Sequence, residues 1–549
     1  MLLRQGLGPL AFRRLLQMSS PAAYHSSAQV SGVSPGIEER GVAEAVGGFT
    51  SADVSDDLLH RIKDASLLRT AGYIGGEWVS RGVTYQVTNP ANGKLLATLP
   101  LMKGIEARAA IAAADAVFPS WSKKTAKERS AVLKKWHELI LANTDDLATI
   151  MTMECGKPRS EALAEIAGGA ASVEWFAEEC KRTTGDVLEP GSRDRRMVTL
   201  KQPVGVVGAI TPWNFPMSMI TRKVAPALAA GCTVVLKPAE STPLSALALA
   251  VLAERAGLPD GCLNIIMGDA PAIGLELTTN ESVRKIGFTG STAVGKLLMA
   301  SAASSVKRVS LELGGNAPLV VFEDADLELA ATATVASALR NSGQTCICTD
   351  RVFIHASVYD KFAELVVARV NKLRLGAGYE AGTTMGPLIS TVAIDRVAAH
   401  VADAVAKGAK VLTGGQKPQL PAPLDGGFFY EPTVLSNCTI DMRCFKEETF
   451  GPLIPLFKFT SEEEALQLAN MTEYGLASYF FTRDLARAWR VAEALQYGMI
   501  GLNEVSITSE VAPFGGMKQS GLGREQSKYG LAEFQDIKYL CMGLGYTPA

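Results

Sequence analysis

Four short apolar runs between Val204 and Gly290 restrict the fold more than any other feature of this chain. They read VGVVGAIT, CTVVLKP, LNIIMGD and RKIGFTG, and helical stretches such as Pro243 to Ala256 separate them. Strands that are apolar throughout lie in sheets covered on both faces, and their alternation with helices is typical of parallel pairing. The sequence therefore predicts an α/β fold built on a doubly wound parallel sheet.

A second α/β segment begins at KRVSLELGGNAPLVVF and continues through RVFIHA, AKVLTGG, LASYFFT and GMIGLN. We expect the boundary between the two segments near Gly314. Before the first sheet, apolar residues at helical spacing predict helices over residues 104–116, 126–143 and 161–182. The stretches LEPGSRDRRMVTLKQ and FQDIKYLCMG fit neither core, and they favour strand-forming arms that make oligomer contacts.

The composition is that of a globular chain without a strongly charged partner. Its 549 residues are 47% hydrophobic and 20% charged, with a formal net charge of −2, which gives no reason to expect nucleic acid or a membrane surface. No apolar run is long enough to span a bilayer. The nine cysteines form no CxxC motif and no zinc-spaced cluster with histidine, so we expect no metal site.

Residues 1–37 differ from the rest of the chain. They contain Arg4, Arg13, Arg14 and six serines, and no acidic residue occurs before Glu38. This composition is typical of an organelle transit peptide, and it favours import into the mitochondrial matrix over a cytosolic tail.

The stretch FTGSTAVGKLL, residues 288–298, has nearly the spacing of a nucleoside-triphosphate loop. That loop needs a hydroxyl after the lysine to hold magnesium, and this chain has Leu297 there. Gly290 and Gly295 let the backbone approach a ligand, and a helix that begins near Ser291 directs N–H groups at an anion. The turn holds either a different nucleotide or no ligand.

Two residues are candidates for covalent and acid–base chemistry. Cys346 follows the polar turn SGQT, where a thiol can be exposed and reactive, although most cysteines are buried and inert. A nucleophile needs a base or a depressed pKa. Glu312 interrupts the apolar pattern of VSLELGGNAP, and burial would raise its pKa as a general base for water requires. A carboxylate capped by backbone N–H groups is the alternative for Glu312.

Two further segments end strands of the first sheet. In ITPWNFP, Asn214 carries an amide that can donate to a developing oxyanion, or it is only a turn residue. In KPAE, Lys237 can bond a ribose hydroxyl or a phosphate, and Glu240 can accept from ribose hydroxyls. An exposed ion pair is the alternative for these two residues.

Taken in order, the motifs Asn, Lys-Pro-x-Glu, Gly-Ser, Glu-Leu-Gly-Gly, Cys and Glu-Glu-x-Phe-Gly-Pro resemble the aldehyde dehydrogenase superfamily from about Tyr73 to Tyr546. The resemblance implies that Cys346 attacks the aldehyde, that Asn214 and the Cys346 N–H hold the oxyanion, and that Glu312 activates water. It also implies a set of cofactor-binding residues: Trp213, Lys237, Pro238, Ala239, Glu240, Gly290, Ser291, Gly295, Glu448 and Phe450.

The resemblance also implies the domains. Residues 58–185 and 204–313 are expected to form an NAD-binding domain of Rossmann type. Residues 314–529 are expected to form an α/β catalytic domain, and residues 186–203 and 530–546 a small β oligomerisation arm of a dimer or tetramer. A carboxylate at Glu240 accepts bonds from a free 2′-hydroxyl and repels a 2′-phosphate, which favours NAD over NADP.

The substrate is expected to be a small aldehyde with a negative charge. Arg222 and Arg340 lie near the predicted site in sequence, and a guanidinium suits a carboxylate. The segments PWNFPMSMITRKV, LRNSGQTCIC and PFGGMKQSGLGREQSKYG are similar to those of superfamily members that oxidise succinate semialdehyde. That similarity adds the hydroxyl of Thr508, where serine is expected, to the carboxylate site. Glutarate semialdehyde or an amino-aldehyde is the alternative substrate.

Cys348 lies two residues after the predicted nucleophile. The resemblance suggests that the two thiols form a disulfide under oxidising conditions and switch activity off, and such a small ring would be strained and reducible. An idle neighbouring thiol is the alternative. Other rival functions are an acylating, CoA-transferring dehydrogenase and a nucleotide-binding scaffold without turnover, and the Cys346, Glu312 and Asn214 set argues against both.

Overall fold

The structure, a computed structural model, describes residues 53–545 of the chain. The predicted leader at residues 1–37 lies outside the described residues. Within them, the strands form four sheets of eight, seven, three and two strands. No helix in this part of the chain is long and apolar enough to cross a bilayer.

The segment before residue 183 contains two hairpins and a group of long helices. Its elements are α1 Asp56–Arg61, β1 Gly72–Ile74, β2 Glu77–Val79, β3 Thr84–Thr88, β4 Leu95–Pro100, α2 Gly104–Trp121, α3 Ala126–Ala142, α4 Thr144–Cys155 and α5 Arg159–Glu179. Reciprocal bonds between Thr125 and Glu128 cap the start of α3. The sequence prediction lacked α4, because its apolar residues at helical spacing, Leu147, Ile150 and Met151, span little more than one turn.

Strands and helices then alternate as the apolar runs predict. The elements are β5 Val187–Leu188, β6 Arg195–Pro203, β7 Val206–Ile210, α6 Ser218–Ala230, β8 Thr233–Lys237, α7 Leu244–Arg255, β9 Leu263–Ile265, α8 Ala270–Thr279, β10 Val283–Thr289, α9 Thr292–Ala302 and β11 Arg308–Glu312.

The second α/β segment follows the same principle. Its elements, with the C-terminal ones, are β12 Ala317–Val321, α10 Leu327–Leu339, β13 Thr349–His355, α11 Tyr359–Val370, α12 Thr391–Ala406, β14 Lys410–Thr413, β15 Thr433–Ser436, α13 Arg443–Lys446, β16 Leu453–Phe459, α14 Glu462–Asn470, β17 Ala477–Phe481, α15 Leu485–Ala494, β18 Met499–Leu502, β19 Gly521–Leu522, α16 Ser527–Ala532 and β20 Gln535–Gly543.

The eight-stranded sheet has the order β19-β11-β10-β7-β8-β9-β1-β2. Its centre, from β11 to β9, is parallel, and antiparallel partners close both edges. Ile210 at the end of β7 pairs with Lys237 on one side and Phe288 on the other. The loops that follow β8, β7 and β10 therefore leave the sheet side by side, which is where ligands bind in such sheets.

The seven-stranded sheet has the order β14-β15-β16-β13-β12-β17-β18 and is parallel except at β14. The chain passes from the first sheet to this one between Glu312 and Ala317, next to the boundary expected at Gly314. Strand β19 follows the second segment in the chain but pairs with β11. One edge strand of the eight-stranded sheet therefore comes from the second segment. The NAD-binding and catalytic roles expected of the two domains remain predictions.

The two predicted arms pair with each other. β20 runs antiparallel to β6 over nine residue pairs, from Gln535 with Pro203 to Gly543 with Arg195, and β5 adds a third strand. Leu200, Ile537 and Leu540 are exposed on this small sheet. The arm is therefore a small sheet whose strands come from two distant parts of the chain. Its role in an oligomer remains a prediction.

Candidate active site

Three neighbouring strands end side by side and place several of the predicted site residues along one edge of the first sheet. Asn214 and Trp213 lie in the loop after β7, Lys237 ends β8, and Gly290 follows β10. This arrangement follows from the parallel order of the strands, because their carboxyl ends all face the same edge.

The glycine turn after β10 opens a helix of eleven residues, α9. The Ser291 hydroxyl caps it by accepting from the Val294 N–H at 3.4 Å. A Cβ at Gly295 would meet Leu313 Cδ2 at 2.4 Å, so glycine lets α9 pack against Leu313, directly after β11, without moving that side chain. Leu297 lies on α9 in the position where a triphosphate loop needs a hydroxyl. The turn suits the diphosphate of a dinucleotide.

Lys237 and Glu240 form an ion pair at the end of β8. Lys237 Nζ lies 2.5 Å from Glu240 Oε1 and also donates to the Pro238 carbonyl at 3.1 Å. The lysine side chain is buried, whereas 37% of the glutamate side chain is exposed. The ion pair considered from the sequence is therefore present, although only its carboxylate is exposed, and that carboxylate is accessible beside Ala239 to a ligand at the sheet edge.

Trp213, Phe450 and Glu448 lie at the other end of the predicted cofactor site. The rings of Trp213 and Phe450 meet edge to face with centroids 5.6 Å apart. Glu448 Oε1 accepts the Gly315 N–H at 2.8 Å, and burial raises the pKa of Glu448 to about 7. A side chain at Gly315 would lie 2.2 Å from the Cys346 carbonyl oxygen, so this strand end and the cysteine turn are in direct contact.

Cys346 follows a short 3₁₀ turn, Arg340–Gly343, with unusual backbone geometry. Asn341 and Ser342 have φ angles of 50° and 58°, in the left-handed region that few side chains adopt. Gly343, at φ 78°, packs so closely on the Gly451 carbonyl that a Cβ would lie 2.1 Å from it. The residue Cys346 is half-buried after this turn.

Hydrogen bonds join the Asn214 loop to this turn. Asn214 Nδ2 donates to the Gln344 carbonyl at 3.0 Å, and Asn341 Nδ2 donates to the Asn214 carbonyl at 2.9 Å. The Asn214 amide is therefore held two residues from Cys346. The second N–H of an amide so placed can donate to an oxygen bound near the thiol.

The pKa of the Cys346 thiol is raised rather than depressed. Burial is the largest cause, the negative charges of Glu448 and Glu312 add to it, and the positive charge of Arg222 opposes it. A nucleophile is activated either by a base or by a depressed pKa, and the pKa of Cys346 is not depressed in this structure. A base must therefore remove the thiol proton.

Glu312 ends β11 and is buried. Burial raises its pKa well above the ordinary value, and the neighbouring charge of Glu525 raises it further. Its Oε2 atom has no hydrogen-bond partner among the described residues, so a carboxylate capped by backbone N–H groups does not describe it. Gly515 passes close enough that a side chain there would lie 3.0 Å from Glu312 Oε1.

A cavity of about 160 Å³ adjoins the thiol. Arg222, on α6, is buried in its wall, and its guanidinium lies 4.6 Å from the centre of the Phe514 ring. Its Nε and Nη1 atoms have no hydrogen-bond partner in the part of the chain that the structure describes. The guanidinium of Arg340 lies 5.1 Å from the Phe215 ring centre. The residues predicted for substrate and nucleophile all line this cavity: Arg222, Arg340, Thr508 and Cys346.

Cys348 is buried beneath the turn. Its thiol donates to the Arg340 carbonyl at 3.7 Å, and burial raises its pKa to about 12. Both Cys346 and Cys348 are free thiols in this structure, and the redox switch remains a prediction.

The sequence interpretation missed several residues of the site. Phe215 and Phe514 provide aromatic walls, Lys157 and Glu165 form a buried ion pair below Asn214, and Lys223 pairs with Glu525 beside Glu312. The only sequence signal for such pairs is a lone charged residue, which lies in a helix for Glu165 and Lys223 and in a loop for Lys157 and Glu525. Its partner lies elsewhere in the chain, so only the fold identifies it.

Comparisons with known proteins give a consistent result. The sequence profile described as the aldehyde dehydrogenase family matches residues 78–540. A mitochondrial succinate-semialdehyde dehydrogenase of Oryza sativa is 54% identical, over 88% of this chain and 92% of the relative. A glutarate-semialdehyde dehydrogenase of Pseudomonas putida is also 54% identical, over 88% of this chain and 100% of the relative.

A solved structure described as an NADP-dependent enzyme of E. coli superposes with a TM-score of 0.87. It is 52% identical and covers 88% of this chain and 100% of its own. The α/β fold predicted from the sequence is therefore confirmed. Within the described residues, no three His, Cys, Asp or Glu side chains come together as metal ligands.

The raised pKa of Glu312 predicts a pH-dependent effect of the Glu312→Gln substitution. The folded protein binds the carboxyl proton more tightly than the unfolded chain, so stability falls as pH rises from the ordinary value of 4.5 towards the folded pKa. Glutamine does not ionise and escapes this loss. We expect the melting temperature of the variant, relative to the original protein, to be higher at about pH 8 than at about pH 5.

The exposed Glu138 provides the control, because Glu138→Gln changes the same chemical group on the surface. Thermal unfolding of both variants at the two pH values checks the prediction. A melting-temperature difference for Glu312→Gln that does not change with pH contradicts the assigned burial of this carboxyl.

Proposed function

Because the chain belongs to the aldehyde dehydrogenase family, we propose that it oxidises succinate semialdehyde to succinate, with NAD⁺ as the hydride acceptor. The observation that carries the choice of an acidic aldehyde is Arg222. It is a buried cation in the wall of the cavity that Cys346 also lines, and two of its guanidinium nitrogens have no partner among residues 53–545. A buried guanidinium is stabilised by an anion, and its planar fork matches a carboxylate.

The reaction begins with removal of the Cys346 proton. Glu312 is the base in this proposal, because its negative charge is destabilised by burial and gains stability on accepting a proton. The thiolate attacks the aldehyde carbon, and the carbonyl π electrons move to oxygen to form a thiohemiacetal anion. The Asn214 Nδ2–H and the Cys346 backbone N–H donate to that oxyanion, and one such donor typically contributes about a hundredfold to a thousandfold in rate.

Collapse of the oxyanion breaks the carbon–hydrogen bond and leaves a thioester on Cys346; NAD⁺, when bound, would accept the hydride. Glu312 releases the thiol proton to solvent and then removes a proton from water, and the resulting hydroxide adds to the thioester carbon. The same two donors hold the second oxyanion. Its collapse breaks the carbon–sulfur bond and gives a carboxylic acid and the Cys346 thiolate. The acid returns its proton to the thiolate, Glu312 releases its second proton to solvent, and succinate leaves.

The cofactor residues fit a dinucleotide with a free ribose 2′-hydroxyl. Gly290, Ser291 and the start of α9 would face the diphosphate, with Gly295 allowing α9 to pack closely. Lys237 and Glu240, beside Pro238 and Ala239, would hold the adenosine ribose. Glu448 and Phe450, with Trp213, would hold the nicotinamide half. The Glu240 carboxylate repels a 2′-phosphate, which supports NAD⁺ over NADP⁺.

The carboxylate of the substrate is assigned to Arg222, Arg340 and Thr508. A second candidate substrate is glutarate semialdehyde, which the Pseudomonas putida relative supports at the same identity as the rice relative. The two aldehydes differ by one methylene, which a pocket discriminates by about tenfold to two-hundredfold. Comparison of kcat/KM for the two aldehydes separates these candidates.

The remaining proposals concern assembly and location. The paired strands β6 and β20, with their exposed apolar residues, support an arm between copies in a dimer or tetramer. The arginine- and serine-rich composition of residues 1–37 and the mitochondrial rice relative support import into the mitochondrial matrix. Reversible pairing of Cys346 with Cys348 would block the nucleophile under oxidising conditions.

The Arg222→Met substitution tests the substrate proposal. Methionine fills a similar volume without charge, so the carboxylate loses a charge-assisted bond that contributes about 1.5–3 kcal/mol. We expect kcat/KM for NADH formation to fall about tenfold to a hundredfold with succinate semialdehyde and to change little with uncharged butanal. Arg108→Met, which removes an exposed arginine, is the matched control. An equal loss on both aldehydes contradicts the assignment of Arg222.

The Glu240→Gln substitution tests the cofactor proposal. It removes the carboxylate that repels a 2′-phosphate and releases the Lys237 ammonium from its ion pair. We expect the ratio of kcat/KM with NADP⁺ to that with NAD⁺ to rise at least about tenfold. Glu254→Gln, on the exposed end of α7, is the control and should leave the ratio unchanged. A ratio that does not rise in Glu240→Gln shows that another group selects the cofactor.

A further inference from the structure

A buried ion pair lies below the Asn214 loop and takes no part in the chemistry proposed above. Lys157 Nζ is 2.5 Å from Glu165 Oε2, and both side chains are completely buried. Burying two charges is often no more favourable than burying apolar residues of the same volume. Stability therefore does not explain why these two buried residues are charged. Their other contacts indicate what the pair does.

Those contacts converge on the five residues that begin with Asn214. Lys157 Nζ donates to the Asn214 carbonyl at 2.7 Å and lies 3.9 Å from the centre of the Phe215 ring. Glu165 Oε1 accepts the Met217 N–H at 2.9 Å and the Ser218 N–H at 3.0 Å. Each charged group thus holds one end of the segment that carries the oxyanion donor.

The carboxylate also completes the start of α6. Met217, in the N-cap position of that helix, makes no side-chain capping bond, so Glu165 supplies the acceptor from a different helix. A negative charge there is stabilised by the helix dipole. The start of α6 is therefore fixed by α5.

The same helix holds the cysteine turn. Glu161, one turn before Glu165 on α5, accepts the Asn341 N–H at 2.8 Å, and Asn341 Nδ2 shares the Asn214 carbonyl with Lys157. The Asn214 loop follows β7 of the first sheet, whereas the Asn341 turn precedes β13 of the second. Helix α5 is thus a common anchor for two loops that belong to different sheets.

We propose that Lys157 and Glu165 are positioning residues that fix the Asn214 amide at the distance from Cys346 needed to hold the oxyanion. This inference rests on the proposed function, in which Asn214 is an oxyanion donor. Such donors act only when they are placed for the transition state, and a displacement of about 1 Å can reduce the rate about a hundredfold. Loss of the pair is therefore expected to slow the reaction through Asn214.

The Glu165→Gln substitution, which keeps the shape of the side chain, is the first variant. We expect kcat/KM to fall about tenfold to a hundredfold, equally for succinate semialdehyde and butanal, because both form the same oxyanion. Glu178→Gln is the matched control on the same helix, where the glutamate pairs with Lys134 near the surface. The doubly neutral Lys157→Met/Glu165→Gln protein leaves no unpaired buried charge and carries the same test if the single variant does not fold.

A double-mutant cycle with Asn214→Ala separates positioning from a general loss of structure. If the pair acts through Asn214, Glu165→Gln lowers kcat/KM by no more than about twofold in the Asn214→Ala background. A full second loss in that background overturns the inference. So does a loss confined to succinate semialdehyde, because the pair would then act through Arg222 on α6.

The same cycle distinguishes failure of this inference from failure of the proposed function. If Asn214→Ala alone retains full activity, the oxyanion role itself is wrong and the positioning inference falls with it. If Asn214→Ala is strongly impaired and Glu165→Gln is fully active, only the positioning inference is wrong. The rate of Cys346 alkylation by iodoacetamide serves as a further readout, and it should not change in Glu165→Gln, because alkylation forms no oxyanion.

Discussion

The hydrogen bond from Asn214 Nδ2 to the Gln344 carbonyl is the contact on which the site depends. It joins a loop of the eight-stranded sheet to the cysteine turn of the seven-stranded sheet, and Asn341 returns a bond to the Asn214 carbonyl. Asn214 and Cys346 belong to segments of different sheets, and this contact holds the Asn214 amide beside the cysteine turn. The positive φ angles of the cysteine turn fit this role, because backbone in that region persists only where surrounding contacts hold it.

Burial sets the proton chemistry of the site. It raises the pKa of Cys346 and of Glu312, so neither group is ionised as readily as it would be in water. A thiol that stays protonated is protected until a base acts, and a carboxylate in the same apolar surroundings is a stronger base than one on the surface. The proposed transfer of a proton from Cys346 to Glu312 depends on both effects of burial: the thiol stays protonated until it reacts, and the carboxylate becomes a stronger base.

The elements that could be predicted from the sequence are those with a local signal. Continuous apolar runs predicted the parallel strands, and the glycine turn with Ser291 predicted the start of α9. Helix α4 was missed because its apolar residues at helical spacing, Leu147 to Met151, span little more than one turn. The pair Lys157 and Glu165 was missed because its targets, Asn214 and Met217, lie about fifty residues further along the chain and are backbone atoms, which leave no trace in side-chain patterns. Local patterns indicated Cys346, Glu312 and Asn214 as candidates, and the family resemblance added Glu448, Phe450 and the role of each residue, which remains a prediction.

The central claim is that Cys346 forms a covalent bond to the aldehyde carbon and carries the acyl group until water releases it. Mass spectrometry of the original protein, acid-quenched at intervals within its first turnover of NAD⁺ and succinate semialdehyde, tests this most directly, because the thioester forms before water releases it. We expect a succinyl group that fragmentation of the peptide assigns to Cys346, and none in a sample prepared without NAD⁺. NADH formation in that turnover with Cys346 unmodified at every quench time, or an acyl group on Cys348 instead, would contradict this claim.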